Sequence, residues 1–276
     1  MTASKPDRRE SAPAYRHPPL EVIDGIPVFS NTDDYIRNYE HIAGDHLEEL
    51  AASGRNPFMR DDLWEVLEDS TAALLRKHLR PGDRILDAGV GLGRLLERFP
   101  EHERYGIDIS LPYLRIARDK GMEVCLARIE DLPYAPESFD AVVCTDVLEH
   151  VLDLNLCVRR LLDALRPGGL LIARVPYKEP LASYLEPGYP YHYAHLRNFD
   201  EFGLALLFER VFSARVVGHE TVGYTLDPAR LKYPLPVGNR TLARLIRLVA
   251  RLLPALEPAL AARLFTPVEI NVVVRK

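Results

Sequence analysis

Residues 84–94 read Arg-Ile-Leu-Asp-Ala-Gly-Val-Gly-Leu-Gly-Arg: an apolar run enters three alternating glycines, and helical spacing resumes at once. Few folds accept a strand, a glycine loop and a helix in immediate succession. Gly89, Gly91 and Gly93 let the backbone turn sharply and let a ligand approach where a Cβ would intrude. Taken alone, such a loop is also compatible with a tight strand–helix turn.

The residues around it settle the fold class. Short β-type runs at 84–88, 105–109, 123–126, 141–144 and 170–174 alternate with helical stretches at 92–98, 112–120 and 154–165. Alternation at this spacing predicts right-handed βαβ units and a parallel sheet with helices on both faces. Pro167-Gly168-Gly169 is a turn that launches the fifth run. Further β-type runs at 214–218 and 269–274 flank a Leu/Arg-rich helical stretch at about 240–264, which Pro254 and Pro258 are expected to divide. The expectation is an α/β, Rossmann-like, seven-stranded sheet, mostly parallel, with its last strand antiparallel.

Three segments are expected: a mobile tail over 1–19, a cover or lid over 20–70, and a main domain over 71–276 with a helical insertion at about 225–266. In the cover, Asp24-Gly25 is a hairpin-type turn between two short apolar pieces. Helical spacing follows over 33–50 and 61–79, and the first of these helices is expected to form a lid.

Asp108 ends the second β-type run, 21 residues after Asp87, which suits a carboxylate bonding the two hydroxyls of a ribose. The loop lacks the Gly-Lys-Ser/Thr of a phosphate-gripping P-loop and departs from the dinucleotide pattern, which disfavours a nicotinamide dehydrogenase. Asp87, just before the loop, would repel a pyrophosphate and suits a cationic ligand.

With these residues the chain resembles the class I S-adenosylmethionine-dependent methyltransferases, closest to the group of ubiquinone-biosynthesis and bacterial small-molecule enzymes. The resemblance spans about residues 71–220. Leu86-Asp-Ala-Gly-Val-Gly-Leu-Gly93 is similar to the family's first motif and Tyr105-Gly-Ile-Asp-Ile-Ser110 to its second. It implies S-adenosylmethionine as cofactor, held by Asp87, Gly89, Gly91 and Gly93, with Asp108 on the ribose and Ile109 packing on the adenine. Ala127-Arg-Ile-Glu-Asp-Leu-Pro-Tyr134 resembles the third segment, with Arg128 where an adenine-binding Asp is common. Arg cannot accept that bond, so stacking by Arg128 or the backbone at Ile129 is expected instead. The stretch 139–150, which holds Thr145, resembles the fourth motif, and His195-Leu-Arg-Asn-Phe199 a His-x-Arg-x-Phe segment.

Methyl transfer from a sulfonium needs alignment and, for some acceptors, removal of a proton. His195 is the expected base and His150, just past the fourth β-type run, a positioning residue. The Tyr/His cluster at 189–197 is expected to wall the acceptor pocket, with Arg197 able to hold an anionic group. Asp146-x-x-Glu149-His150 resembles the metal-binding Glu-x-x-Glu-His of some quinone methyltransferases, but its first acid is shorter and no metal is assigned. Cys125, Cys144 and Cys157 lack metal-ligand spacing and are expected to be buried thiols.

Arg240, Arg244, Arg247 and Arg251 fall on one helical stripe, with Leu242, Leu245, Ile246, Val249, Leu252 and Leu253 opposite. A helix packed on the domain is the preferred expectation, and peripheral contact with anionic membrane through 240–253 the alternative. Net charge of −5 argues against a nucleic-acid partner. The polar N-terminus and the lack of an apolar run of roughly 18 residues point to a cytoplasmic protein. The acceptor is expected to be a small molecule, a glycan or a lipid-linked group, methylated on oxygen or nitrogen. The other reading is a catalytically silent cofactor-binding protein. Nothing in the sequence indicates the oligomeric state.

Overall fold

A computed structural model describes residues 13–226, 240–257, 260 and 264–276. A central sheet joins β1 (Glu21–Ile23), β2 (Ile26–Val28), β3 (Arg84–Ala88), β4 (Glu103–Asp108), β5 (Glu123–Leu126), β6 (Phe139–Thr145), β7 (Leu165–Pro176), β8 (Arg215–Val222) and β11 (Glu269–Arg275). Its order is β1-β2-β5-β4-β3-β6-β7-β11-β8. Strands β5, β4, β3, β6 and β7 run parallel, and β11 is antiparallel to both β7 and β8. This is the expected Rossmann-like sheet, extended by two strands.

The extension is the Asp24-Gly25 hairpin. Both turn residues take positive φ, 52° and 80°, the requirement of a two-residue turn matched to strand twist. Instead of covering the domain, the hairpin pairs β2 alongside β5 and lengthens the sheet edge. Residues 13–18 are not a mobile tail. Tyr15 bridges to Tyr134 and lies 4.7 Å from the Phe29 ring, and Arg16 Nε donates to the Tyr134 carbonyl at 2.7 Å. Residues 1–12 lie outside the described residues.

Each face of the sheet carries its own apolar layer. On one, α5 (Leu154–Ala164) and α6 (Glu201–Ala205) bring Cys157, Val158, Leu161 and Leu204 onto Leu86, Ile107, Val142 and Ala173. On the other, α2 (Asp61–His78), α3 (Arg94–Glu97) and α4 (Leu111–Asp119) bring Ala72, Leu75, Leu96 and Leu114 onto Ile85, Ala141 and Ile172. Central strands buried on both sides are continuously apolar for this reason, each large side chain adding about 1.5–3 kcal/mol. All three cysteines are free and buried.

Two additions crown the C-terminal ends of the parallel strands, where α/β folds bind ligands. Helix α1 (Asp34–Ser53) starts where Asp33 caps the Ile36 amide at 3.0 Å, and stops at Gly54 in the left-handed region. Helix α7 (Arg240–Leu256) rises between β9 (Thr225–Leu226) and β10 (Phe265–Thr266), which pair as a two-stranded stem. It runs through Pro254 without the expected break. Its packed face is narrower than the sequence implied: Ala250 is buried and Leu242, Ile246 and Leu253 half-buried, while Leu245, Leu248, Val249, Leu252 and Leu256 are exposed. Arg244 is exposed, and the side chains of Arg240, Arg247 and Arg251 lie outside the described residues, as does the chain over 227–239. No described helix is long and apolar enough to cross a membrane.

Candidate active site

The ends of β3, β4, β5 and β6 open into one cavity of about 1030 Å³. Gly89, Gly91, Asp108, Ile109, Arg128, Ile129, Thr145, His150 and His195 all line it; Asp87 and Gly93 sit behind. The three glycines do different work. A Cβ at Gly89 would lie 2.2 Å from Val147 Cγ2, so that glycine lets the loop close against the end of β6. At Gly93 it would lie 2.8 Å from Met122 Cε, a flexible tip, at the left-handed residue that opens α3. At Gly91 a Cβ would meet nothing within 4 Å and would enter the cavity.

Asp108 accepts from the Gly91 amide and from the Ser110 amide, each at 2.9 Å, and so braces the loop while facing the cavity. Burial raises its pKa against these backbone bonds. Asp87 is 2 % exposed and its Oδ1 has no hydrogen-bond partner. Burial, then the charges of Asp108 and Glu68, push its pKa well up. A buried carboxylate with one unpartnered oxygen beside an open glycine cradle fits a ligand with a cationic end and a ribose. Arg128 does not offer a free plane for stacking on a base. Its guanidinium pairs with Asp33 and lies 5.0 Å from the Tyr35 ring, locking the start of α1 to the sheet edge.

Beyond the glycines the walls become aromatic and acidic. Tyr189, Tyr191, Tyr193 and His195 reach the cavity from the segment after β7, and Tyr35 and Tyr39 from α1. Asn38 Nδ2 donates to the Tyr193 carbonyl at 3.0 Å and Tyr191 donates to Asp45 at 2.8 Å, so α1 and the segment after β7 hold each other. His195 Nδ1 donates to Glu179, and the Tyr184 hydroxyl donates to the other Glu179 oxygen at 2.8 Å. Burial works against Glu179, but the bonds from His195 and Tyr184 hold its pKa below the usual value. A carboxylate on Nδ1 fixes the tautomer that leaves the Nε2 lone pair for a proton.

His150 lies edge-on to His195, with ring centroids 4.5 Å apart, and its Nδ1 faces the Tyr39 hydroxyl at 2.9 Å. Burial and the neighbouring His195 lower its pKa to about 3, so it is a neutral, fixed ring. Glu149, beside them, is 1 % exposed with both oxygens unpartnered, and burial pushes its pKa well up. Under the floor, Arg174 pairs with Asp146 and with Glu269, each at 2.6 Å. Asp146 takes a positive φ of 57° to reach it, strain of a kind that collects at functional sites. Arg197 does not serve the pocket: its guanidinium donates to the carbonyls of Leu148, at 2.8 Å, and Val151, at 2.6 Å, closing the loop after β6.

Glu179, Tyr39 and Tyr184 were not legible as site residues. Each is one polar residue in an unremarkable stretch, brought in by loops whose paths carry no periodicity. Glu149 and Asp146 were visible only as an acidic spacing, and the burial that distinguishes them is a property of the fold.

A family profile described as a methyltransferase domain matches residues 86–173, the span from the glycine loop to β7. That segment is a methyltransferase domain, and it holds the glycine-loop and Asp108 motifs that resemble the class I S-adenosylmethionine-dependent enzymes. S-adenosylmethionine is the family's cofactor, and the cradle and orphaned acid fit it. Among curated relatives, the chain is 33 % identical over 162 residues to a tRNA (carboxymethyluridine(34)-5-O)-methyltransferase of Arabidopsis thaliana, covering 52 % of this chain and 40 % of that one. It is 34 % identical over 111 residues to a ubiquinone biosynthesis O-methyltransferase of Xanthomonas campestris, covering 37 % and 46 %. The chain thus spans less than half the length of either relative. A chain from the solved complex of a methyltransferase with the Trm112 methyltransferase activator of Haloferax volcanii superposes with a TM-score of 0.58 at 19 % identity. That match covers 89 % of this chain and 99 % of the other, a likeness of fold.

Proposed function

We propose that this protein moves the methyl group of S-adenosylmethionine to an oxygen or nitrogen of a small organic acceptor, with His195 receiving the acceptor's proton. The observation that carries the reading is the His195–Glu179 pair, which lines the same cavity as Gly91 and Asp108. The cofactor supplies a methyl group on a sulfonium. Asp108 would accept from its ribose, Asp87 would answer its cationic end, and Ile109, Ile129 and Thr145 would flank the nucleoside. Arg128 contributes by holding the lid. Glu179 orients His195 and stabilises the imidazolium that forms, and His150, neutral and bonded to Tyr39, positions the acceptor. Relatives include tRNA enzymes, but α1 and the tyrosine segment line a concave acceptor end of a size suited to a small molecule, which favours that class over a polymer.

The test is incubation with methyl-labelled S-adenosylmethionine and two acceptor pools, low-molecular-weight metabolites and total tRNA. Label should appear in the small-molecule pool together with S-adenosylhomocysteine. Label confined to tRNA would overturn the acceptor class, and none in either pool would favour a silent binder. Glu179→Gln should lower kcat roughly tenfold and leave cofactor Kd within twofold, because it loosens the base without touching the nucleoside end. Equal kcat would show that the pair is merely structural.

Asp108→Ala should weaken S-adenosylhomocysteine binding by about 10- to 100-fold, the equivalent of about 1.5–3 kcal/mol for hydrogen bonds to a charged acceptor. Asp108→Asn keeps one acceptor and should lose less. Unchanged Kd in Asp108→Ala, measured by calorimetry, would remove the ribose role.

A further inference from the structure

We infer that the acceptor is an amine that enters as an ammonium ion, recognised by the Glu149 carboxylate and the rings of Tyr39 and Tyr184. This deepens the reading above and rests on it.

The argument is one of charge. Every cation lining the cavity among the described residues is already engaged: Arg128 with Asp33, Lys178 with Glu201 at 3.3 Å, and Arg60 with Asp62 at 3.1 Å. Arg174 below the floor is shared by Asp146 and Glu269. An anionic acceptor, a carboxylate or a phosphate, would find acids and spent cations among the described residues. An ammonium ion finds the opposite. Glu149 is almost wholly buried, both its oxygens lack a partner, and its Oε1 stands 3.8 Å from His150 Nε2. Its oxygen and the nitrogens of His150 and His195 lie within 4.8 Å of one another, so a cation bound there adjoins the base. A buried carboxylate without a partner is costly, and a charge-assisted bond from a ligand removes that cost. Tyr39 and Tyr184 stand around the same point, with rings 5.4 Å from His150 and 5.0 Å from His195, and aromatic faces favour an organic cation.

The chemistry balances. The ammonium gives a proton to His195 Nε2, and the freed nitrogen lone pair forms the new N–CH3 bond as the C–S bond breaks with its electrons on sulfur. The products are a methylated ammonium and S-adenosylhomocysteine, and His195 passes its proton to water.

The test uses the full-length protein saturated with S-adenosylhomocysteine, titrated in a calorimeter with 2-phenylethylamine, 2-phenylethanol and 3-phenylpropionate. The ammonium should bind at least tenfold more tightly than the alcohol, and the carboxylate should not bind. Glu149→Gln should shrink the first gap below threefold while S-adenosylhomocysteine Kd stays within twofold. The charge preference of the wild type decides the matter even if that variant fails to fold. An alcohol bound as tightly as the ammonium, or no ammonium binding at millimolar concentration, overturns the inference. So does a stoichiometric divalent metal in the purified protein, measured by elemental analysis, because the same carboxylate and imidazoles would then be its ligands. His195-dependent methylation of neutral hydroxyl compounds without any ammonium preference would sink the amine assignment and leave the proposed base intact.

Discussion

Gly91→Val is expected to abolish cofactor binding while the domain still folds. The two halves of that expectation come from different observations. A Cβ at this position meets nothing within 4 Å, so the side chain starts in open space at the cavity wall where the nucleoside would lie. The backbone at Gly91 has φ of 49°, and holding an L-residue there costs about 1–2 kcal/mol, which a sheet buried on both faces can absorb. Calorimetry should therefore show affinity lost by more than a hundredfold, and thermal melting should show a cooperative transition lowered by a few degrees. Gly89→Val makes the contrast. Its Cβ would strike Val147, so it should damage the fold before it can report on the ligand. Normal binding by Gly91→Val would reduce the loop to a strand–helix turn.

His195→Ala should lower kcat by roughly a hundredfold or more, the usual contribution of a positioned base, with cofactor Kd nearly unchanged. The side chain lies on the acceptor side, held by Glu179 and Tyr184 rather than by anything near the glycine loop. His150→Ala should behave differently. A ring whose pKa is depressed to about 3 takes no proton at neutral pH, so its loss should raise KM for the acceptor more than it lowers kcat. Full turnover in His195→Ala would leave alignment alone to account for the rate.

The glycine-loop end of the cavity was legible in the sequence because it is local. Strand, glycine loop, helix and the acid ending the next strand are fixed by neighbours a few residues apart, and βαβ handedness does the rest. The aromatic and acidic half assembles residues from α1 to β11, and its decisive properties are burial and pairing. Arg197 shows the difference: it sits in a motif-like stretch near the pocket, yet its donors are consumed by backbone carbonyls. Arg128 is similar, its charge spent on Asp33 rather than on a base. Pro254 misled for another reason. Proline is read as a helix breaker, but here it falls in the last turn of α7, where little helix remains to be broken.

The stem of the helical insertion has a consequence of its own. Thr225 and Thr266 pair across it, and both line the cavity beside Pro267, Val268 and Glu269, whereas the glycine loop and Asp108 hang from β3 and β4 on the far side of β6. Different parts of the fold therefore wall the two ends of the cavity, the glycine loop and Asp108 at one and the stem at the other. Under the proposed function, altering the segment between β9 and β10 is expected to change which acceptors are methylated while S-adenosylhomocysteine affinity stays the same, so that substrate choice and methyl donation could be tuned apart.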